Sequence, residues 1–386
     1  MAIPVERPAN PLEAAELIAA AAGDGRTIEI MGGGSKRGWG GGEAAGDLVL
    51  STEKLNAVID YDPIELVLTV QAGAKLTDIE ALLDTHGQML AFEPPDFGPV
   101  FGEAAGKSTI GGILAANLSG PRRLLAGAAR DHFLGFEGVS GRGIVFKAGG
   151  KVVKNVTGFD LPKLMAGSWG TLALLTAVTL KVVPKPKAST TLLVRNLSPD
   201  QAVQAMTRAV SLPLSVSGAA NQPDLTALRL EGFGPSVAAR LQRLRGEMTA
   251  FGEVEVRDQD FTTSFWRDVG RLATLTDQSG ELWRVSQPPA QGADAVQTAE
   301  ILAALDPDVR WRMDWAGGLV WIEMPKSLPF QIDRPMGGGR WSRVRGRPDV
   351  WPSRSDATAR LTARVRAAFD PAGVFLERTP LYGSGE

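Results

Sequence analysis

Cysteine is absent from this chain, and histidine and tyrosine each occur only twice in its 386 residues. With no thiol, the chain forms no disulfide, supplies no thiolate to a metal or iron–sulfur cluster, and carries no cysteine nucleophile. The two histidines, His86 and His132, both fall in the first half. A histidine general base has to be one of these two, and a metal site would have to be built from carboxylates; none is expected. Long apolar runs are also missing. No stretch reaches membrane-spanning length, and Met1-Ala-Ile-Pro-Val-Glu-Arg7 lacks the basic-then-apolar order of a secretion signal. The expectation is a cytoplasmic protein, or one held at the inner face of the cell membrane through its partners. Neither sign of charge dominates: the formal net charge is −2 and the pI about 5.9, so nucleic acid is not an expected partner.

What is plentiful is glycine, and it is concentrated in the first half. The length suits two domains, each able to bury its own core. A helix is expected over residues 11–22, with proline in its first turn. Strands are expected at Thr27–Met31, Asp47–Ser51, Val58–Ile59 and Leu66–Val70, then a helix over Lys75–His86 with Leu76, Ile79, Leu82 and Leu83 on one face. A hairpin is expected from Ile144–Lys147 through Ala148-Gly149-Gly150 to Lys151–Val153. Pro184-Lys185-Pro186 then punctuates the chain, and the composition changes. The second part carries seven of the nine tryptophans and begins strand–helix–strand–strand–helix. The expected division is residues 1–186 and 187–386. Arg310–Trp321 reads as a hairpin and Gly337–Arg354 as an arginine-rich loop.

Three phosphate-binding patterns compete for the glycines. Gly102-Glu-Ala-Ala-Gly106-Lys107-Ser108 looks like a P-loop, but the first glycine is one residue too close and position 101 is Phe101. Gly32-x-Gly34 follows a strand, yet Arg37 stands where a dinucleotide fingerprint needs its third glycine. Gly40-Gly-Gly-Glu-Ala-Ala45 leads into a strand rather than a helix. A better reading pairs two loops. In Gly32-Gly33-Gly34-Ser35-Lys36-Arg37, unhindered N–H groups, a hydroxyl and two cations can face a diphosphate. In Ser108-Thr109-Ile-Gly111-Gly112, followed by an alanine-rich turn to Asn117 and Gly120, small side chains let a flat ring or a diphosphate approach the backbone.

The order of these motifs resembles the FAD-binding domain of the vanillyl-alcohol oxidase / p-cresol methylhydroxylase superfamily. The resemblance runs through Gly32–Ser35, Pro94-Pro-Asp-Phe97, Thr109-Ile-Gly-Gly112, Asn117, Gly120-Pro-Arg-Arg123, Gly127, Arg130-Asp131, Lys154-Asn-Val-Thr-Gly-Phe-Asp160 and Gly167-Ser-Trp-Gly-Thr171. It covers roughly residues 5–185. Gly120–Arg123, Lys154–Asp160 and Arg312–Trp321 together are most similar to the FAD-binding subunits of bacterial glycolate oxidases. The resemblance implies an α+β fold, a two-subdomain PCMH-type FAD-binding domain followed by an α+β cap domain. It places Gly32, Gly33, Gly34 and Ser35 on the pyrophosphate of FAD. It places Ser108, Thr109, Gly111, Gly112, Asn117 and Gly120 along the diphosphate and the ring edge, and Gly127 and Val139 by the ring or the adenine. The first loop has no histidine to tether the cofactor, so the FAD is expected to be noncovalent.

The resemblance also implies partners: a sister FAD-binding hydroxyacid dehydrogenase subunit and an iron–sulfur subunit of a glycolate oxidase complex, with a small 2-hydroxy acid as substrate. Full-length hydroxyacid dehydrogenases of the superfamily carry histidines in the cap, whereas residues 187–386 contain none. Leu376-Glu-Arg378 also replaces the family's Asn-Pro ending. Catalytic residues are therefore not assigned, and oxidation is expected to need the sister subunit. The alternatives are a stand-alone FAD-dependent oxidase or dehydrogenase that anchors its substrate through arginine, and a scaffold that has lost its flavin. His132 is expected to be a satisfied loop histidine near the flavin. His86 closes a helix. Arg340, Arg343, Arg345, Arg347 and Arg354 are expected in a solvated loop, and most of the second-half tryptophans in the cap core.

Overall fold

Asn10 starts the first helix by accepting the N–H groups of Leu12 and Glu13, with Pro11 preset for the first turn. The helix, Pro11–Gly23, turns Ala14, Ile18 and Ala21 inward. They meet Ile28, Leu48 and Leu50 in a core under a small parallel sheet ordered Val5–Glu6, Leu48–Ser51, Ile28–Met31. The computed structural model describes residues 3–40, 46–150, 159–276, 279–328, 339–346 and 356–377.

A second, antiparallel sheet of five strands follows, ordered Val58–Asp62, Val67–Gln71, Ala173–Lys181, Phe133–Ser140, Val145–Gly149. The helix Leu76–Asp84 covers it, burying Leu76, Ile79 and Leu83. The expected hairpin is corrected here. Ala148 and Gly149 lie inside a strand, whose partner is the preceding strand Phe133–Ser140. Residues 151–153 lie outside the described residues.

From Ala188 the chain builds an eight-stranded antiparallel sheet ordered Val254–Arg257, Ala188–Arg195, Leu225–Gly232, Val216–Gln222, Arg310–Asp314, Leu319–Met324, Glu281–Ser286, Arg340–Arg345. Side chains alternate between its faces. Trp283, Val285, Val320 and Ile322 pack under helices on one face. Leu282, Leu319, Trp321 and Val344 share a core with Phe97, Leu114 and Met165 of the first half. The expected hairpin of Arg310–Trp321 is present, closed by the turn Trp315–Gly317.

The solvated-loop reading of the arginines is overturned for Arg343 and Arg345. Both are in the strand Arg340–Arg345 and are only 3% and 8% exposed. Arg345 donates to Glu323, to the Val100 carbonyl and to the Gly280 carbonyl; Arg343 lies by Glu281. Burial is tolerated because carboxylates and carbonyls meet the guanidinium fork. Arg347 and Arg354 lie outside the described residues.

The chain end returns to the first half. Ile28 donates its N–H to the Val374 carbonyl, and Leu376 donates to the Ile28 carbonyl. Asp370 holds this return by accepting the N–H groups of Val374 and Phe375. No helix among the described residues is long and apolar enough to cross a membrane.

Candidate functional site

The two glycine loops are pressed against each other. A Cβ on Gly33 would lie 1.5 Å from the Lys107 carbonyl oxygen, and one on Gly32 would lie 2.3 Å from the Thr109 hydroxyl. A Cβ on Gly111 would meet the Ala72 carbonyl at 2.7 Å. These glycines exist first for chain-to-chain approach. Gly34 has φ +72° and turns the first loop. Between the loops lies a pocket lined by backbone and small side chains of Gly32, Gly33, Gly34, Gly111 and Gly112, with Trp169 at one wall.

The hydroxyls tie this cradle together. Ser35 and Ser108 are 3.1 Å apart and buried, and Ser108 donates to Asp96 at 2.8 Å. Asp96 also accepts the N–H of Gly106 at 2.6 Å and of Gly98 at 3.2 Å. The turn that looked like a P-loop thus wraps a carboxylate of the protein itself, which takes the place a phosphate has in a true one. Lys107 is turned away to Glu103 at 2.7 Å. Of the two cations in the first loop, Arg37 is committed to Glu29 through two bonds of 3.0 and 2.8 Å. Lys36 lines the pocket, with its Nζ 3.2 Å from the Ser35 hydroxyl. An ammonium and backbone N–H groups around a groove with no acidic side chain among its described lining residues suit a diphosphate. The residues present fit FAD.

The remaining expected site residues scatter. Thr109 lines the pocket and caps the helix Ile110–Ala115 by accepting the Gly112 N–H. Asn117 has φ 50° and accepts the N–H of Arg130. Gly120 presses on the Glu93 carbonyl and accepts a hydrogen bond from the Trp315 indole. Gly127 sits against Asp131, and Val139 is fully buried in the core with Ile28 and Leu174; neither lines the pocket between the loops. His132 is buried. Its Nε2 donates to the Ala126 carbonyl at 2.9 Å, while Nδ1 has no partner among the described residues. Burial holds its pKa below the usual imidazole value, so it is neutral at physiological pH.

Aromatic rings lead from the pocket to the cap. Trp169 packs on Trp39 at 5.0 Å, Trp39 on Phe97 at 6.1 Å, and Phe97 on Trp321 of the cap sheet at 5.7 Å. Beyond Trp321 the same sheet face carries Arg312, Arg284 and Asp314. Arg312 is engaged by the Asp268 carbonyl, Gln222 and Thr274. Asp314 accepts the Trp315 N–H at 2.7 Å. Burial pushes its carboxyl up to about 7.

A four-member ion cluster joins the halves. Arg229 donates to Glu93 at 2.8 and 2.9 Å, and Arg122 donates to Glu231 through two bonds of 3.0 Å. Glu93 and Arg284 gave no signal in the sequence, as isolated charges; Asp96 and Asp314 fell inside the motifs Pro94–Phe97 and Arg310–Trp321, but what they touch was not legible there. Gly120–Arg123 was singled out, but what its two arginines touch was not legible. Among the described residues, no group of three or more histidine, aspartate and glutamate side chains could hold a metal ion.

Comparison with known proteins agrees with this geometry. Residues 3–149 match the family model described as FAD binding domain. Glycolate oxidase subunit GlcE of Escherichia coli is 34% identical over 321 residues, which is 82% of this chain and 83% of that protein. Glycolate oxidase subunit GlcD of Bacillus subtilis is 37% identical over 161 residues, 42% of this chain and 33% of that one. A solved alkyldihydroxyacetonephosphate synthase superposes with a TM-score of 0.70 at 16% identity, covering 97% of this chain and 76% of that chain. At that identity the likeness establishes the fold.

Proposed function

We propose, from the premise that this chain belongs to the family of FAD-binding glycolate oxidase subunits that includes GlcE, that it works as one subunit of an assembly oxidising a small 2-hydroxy acid. The chain is an FAD-dependent oxidoreductase subunit of α+β fold. The observation that carries the reading is the cradle: two loops so close that Gly33 touches the Lys107 carbonyl, leaving a groove floored by backbone and rimmed by Lys36.

When bound, FAD supplies acceptance of two electrons from the substrate carbon. The residues of this chain bind and orient it. Gly32, Gly33, Gly34 and Ser35 would hold the diphosphate together with Lys36; Thr109, Gly111 and Gly112 would form the opposite wall, and Ser108 would brace both loops from behind through Ser35 and Asp96. Asn117 and Gly120 continue toward the cap. Residues 1–186 form the flavin half and residues from 187 the cap, with the segment around Asp370–Phe375 completing the flavin half. Nothing in the first loop tethers the cofactor, so it is held noncovalently.

Oxidising a 2-hydroxy acid also requires a group that takes the hydroxyl proton. The cap has no histidine, and His132 spends its N–H on Ala126 behind Phe92. The base therefore comes from a sister flavoprotein subunit, and the electrons leave through an iron–sulfur subunit. In an anaerobic stopped-flow experiment, the isolated chain with FAD bound should be reduced by glycolate or D-lactate very slowly or not at all. Adding the sister subunit restores reduction. Rapid bleaching of the isolated chain would instead establish a stand-alone enzyme.

A further inference from the structure

Arg123 and Arg284 come from different halves of the chain and converge on one indole. The Arg123 guanidinium carbon lies 4.2 Å from the centre of the Trp315 ring, and that of Arg284 lies 5.7 Å from it. Arg284 is also 6.0 Å from the Trp321 ring. Neither guanidinium makes a hydrogen bond or an ion pair with any described residue. That sets them apart from the interior arginines 122, 229, 312 and 345, each of which donates to a carboxylate, an amide or a carbonyl. Arg284 is dominated by burial yet keeps some solvent access.

Leaving a guanidinium inside a protein without an acceptor is costly unless a ligand completes it. The charges that act on Arg284 make the cost larger. Burial, then Arg123 and Arg340, push it down to about 10, so it stays a cation at neutral pH among other cations. Burial and Arg130 likewise lower Arg123, against a smaller opposing effect of Asp131.

The backbone beneath is shaped with equal care. Trp315 and Ala316 both have left-handed φ, 52° and 56°, which non-glycine residues seldom adopt. Asp314 holds the turn through the Trp315 N–H, and the Trp315 indole donates to the Gly120 carbonyl at 3.1 Å. This strained turn sets the indole under both guanidinia, against the end of the second glycine loop.

We propose that Arg123 and Arg284, with Trp315 as floor, form a binding site for the carboxylate of a small organic acid. A carboxylate is planar and accepts two N–H groups from one guanidinium, and a second guanidinium can reach its other lone pairs. The indole supplies an apolar face that strengthens those bonds by excluding water. The site stands on its own geometry and rests on the FAD reading only in lying beside the cofactor. It makes this chain one that holds a 2-hydroxy acid by its carboxylate while lacking the base to oxidise it.

The test is calorimetric titration of the purified chain with oxalate, a carboxylate that cannot be oxidised to a keto acid, and with glycolate. Flavin content is read in parallel from absorbance. The wild type binds both ligands with one site. Arg284→Met and Arg123→Met each weaken binding by about 30-fold, as expected for loss of hydrogen bonds to a charged acceptor. Arg284→Lys recovers part of the loss, and Arg310→Met, at an exposed position on the same sheet, changes nothing. Circular dichroism checks folding, and Arg123, partly exposed at the start of the short helix Arg123–Ala126, is the variant least able to disturb it. No binding by the flavin-loaded wild type at millimolar ligand, or undiminished binding by both methionine variants, overturns the proposal. A chain that lacks flavin but binds oxalate through Arg284 would refute the FAD reading and leave this site standing.

Discussion

Arg229 and Glu93 form a bidentate ion pair at 2.8 and 2.9 Å across 136 residues of sequence. Arg229 is on the cap strand Leu225–Gly232 and only 2% exposed; Glu93 is in the flavin half, just before Pro94. Glu93 also accepts the N–H of Arg122, whose guanidinium goes on to Glu231. The ion cluster therefore pins the cap to the loop that follows the second glycine motif.

Removing one partner leaves the other charge buried. Arg229→Met is expected to destabilise the protein by ~3–5 kcal/mol. The double variant Arg229→Met, Glu93→Leu recovers a large part of that loss, because no unpaired charge remains. Urea unfolding of the single and double variants measures both. Equal loss in both would mean that packing, not charge, carries the contact.

The acid side of the pH profile follows from the same cluster. Burial alone would raise Glu231, but Arg229 and Arg122 outweigh it and hold the carboxyl down to about 2. Its folded pKa is below its unfolded value, so its contribution is present above the usual carboxylate range and fades as pH falls toward 2. Glu231→Gln should flatten the loss of stability between pH 5 and pH 3 in thermal melts.

Asp314 acts in the opposite direction. Burial pushes it up to about 7, so the folded protein keeps a proton that the unfolded chain has already released. Stability therefore falls as pH rises from about 4 to about 7, by a few kcal/mol at ~1.4 kcal/mol per pKa unit. Asp314→Asn can still accept the Trp315 N–H and should remove this decline. Melting temperatures of both forms at pH 5 and pH 8 decide it; parallel shifts would show that Asp314 stays ionised.

The two kinds of loop residue separate in mutants. Gly33→Ala drives a Cβ into the Lys107 carbonyl, so it should lower stability even without FAD and lose the cofactor as a result. Lys36→Met should weaken FAD binding by roughly 10-fold or more, the loss of a charge-assisted hydrogen bond, and lower the flavin-free melt less than Gly33→Ala does. Fluorescence titration of FAD, beside melts of the flavin-free protein, distinguishes them. If Gly33→Ala melts normally, the loops are not in the contact described.

Acid precipitation should leave yellow FAD in the supernatant. Colour retained by the pellet would reveal a covalent link and reopen the assignment of the first loop.

The first helix, the strands around it and the paired glycine loops were legible in the sequence because they depend on local signals. A capping asparagine, alternating side chains and unhindered backbone turns act over a few residues. The absence of histidine from the cap is likewise a property of composition, and no folding changes it. The arginines were not legible. As residue types in a row, Arg340, Arg343 and Arg345 look solvated; the sheet register then sets Arg343 by Glu281 and Arg345 against Glu323. The same holds for Ser108, which ends a failed P-loop in sequence and in space donates to Asp96. Periodicity and spacing report which face a residue takes within its own element. Whether a buried charge finds a partner or, like Arg123 and Arg284, meets another charge of its own sign over an indole depends on strands far apart in the chain, and only the tertiary structure decides it.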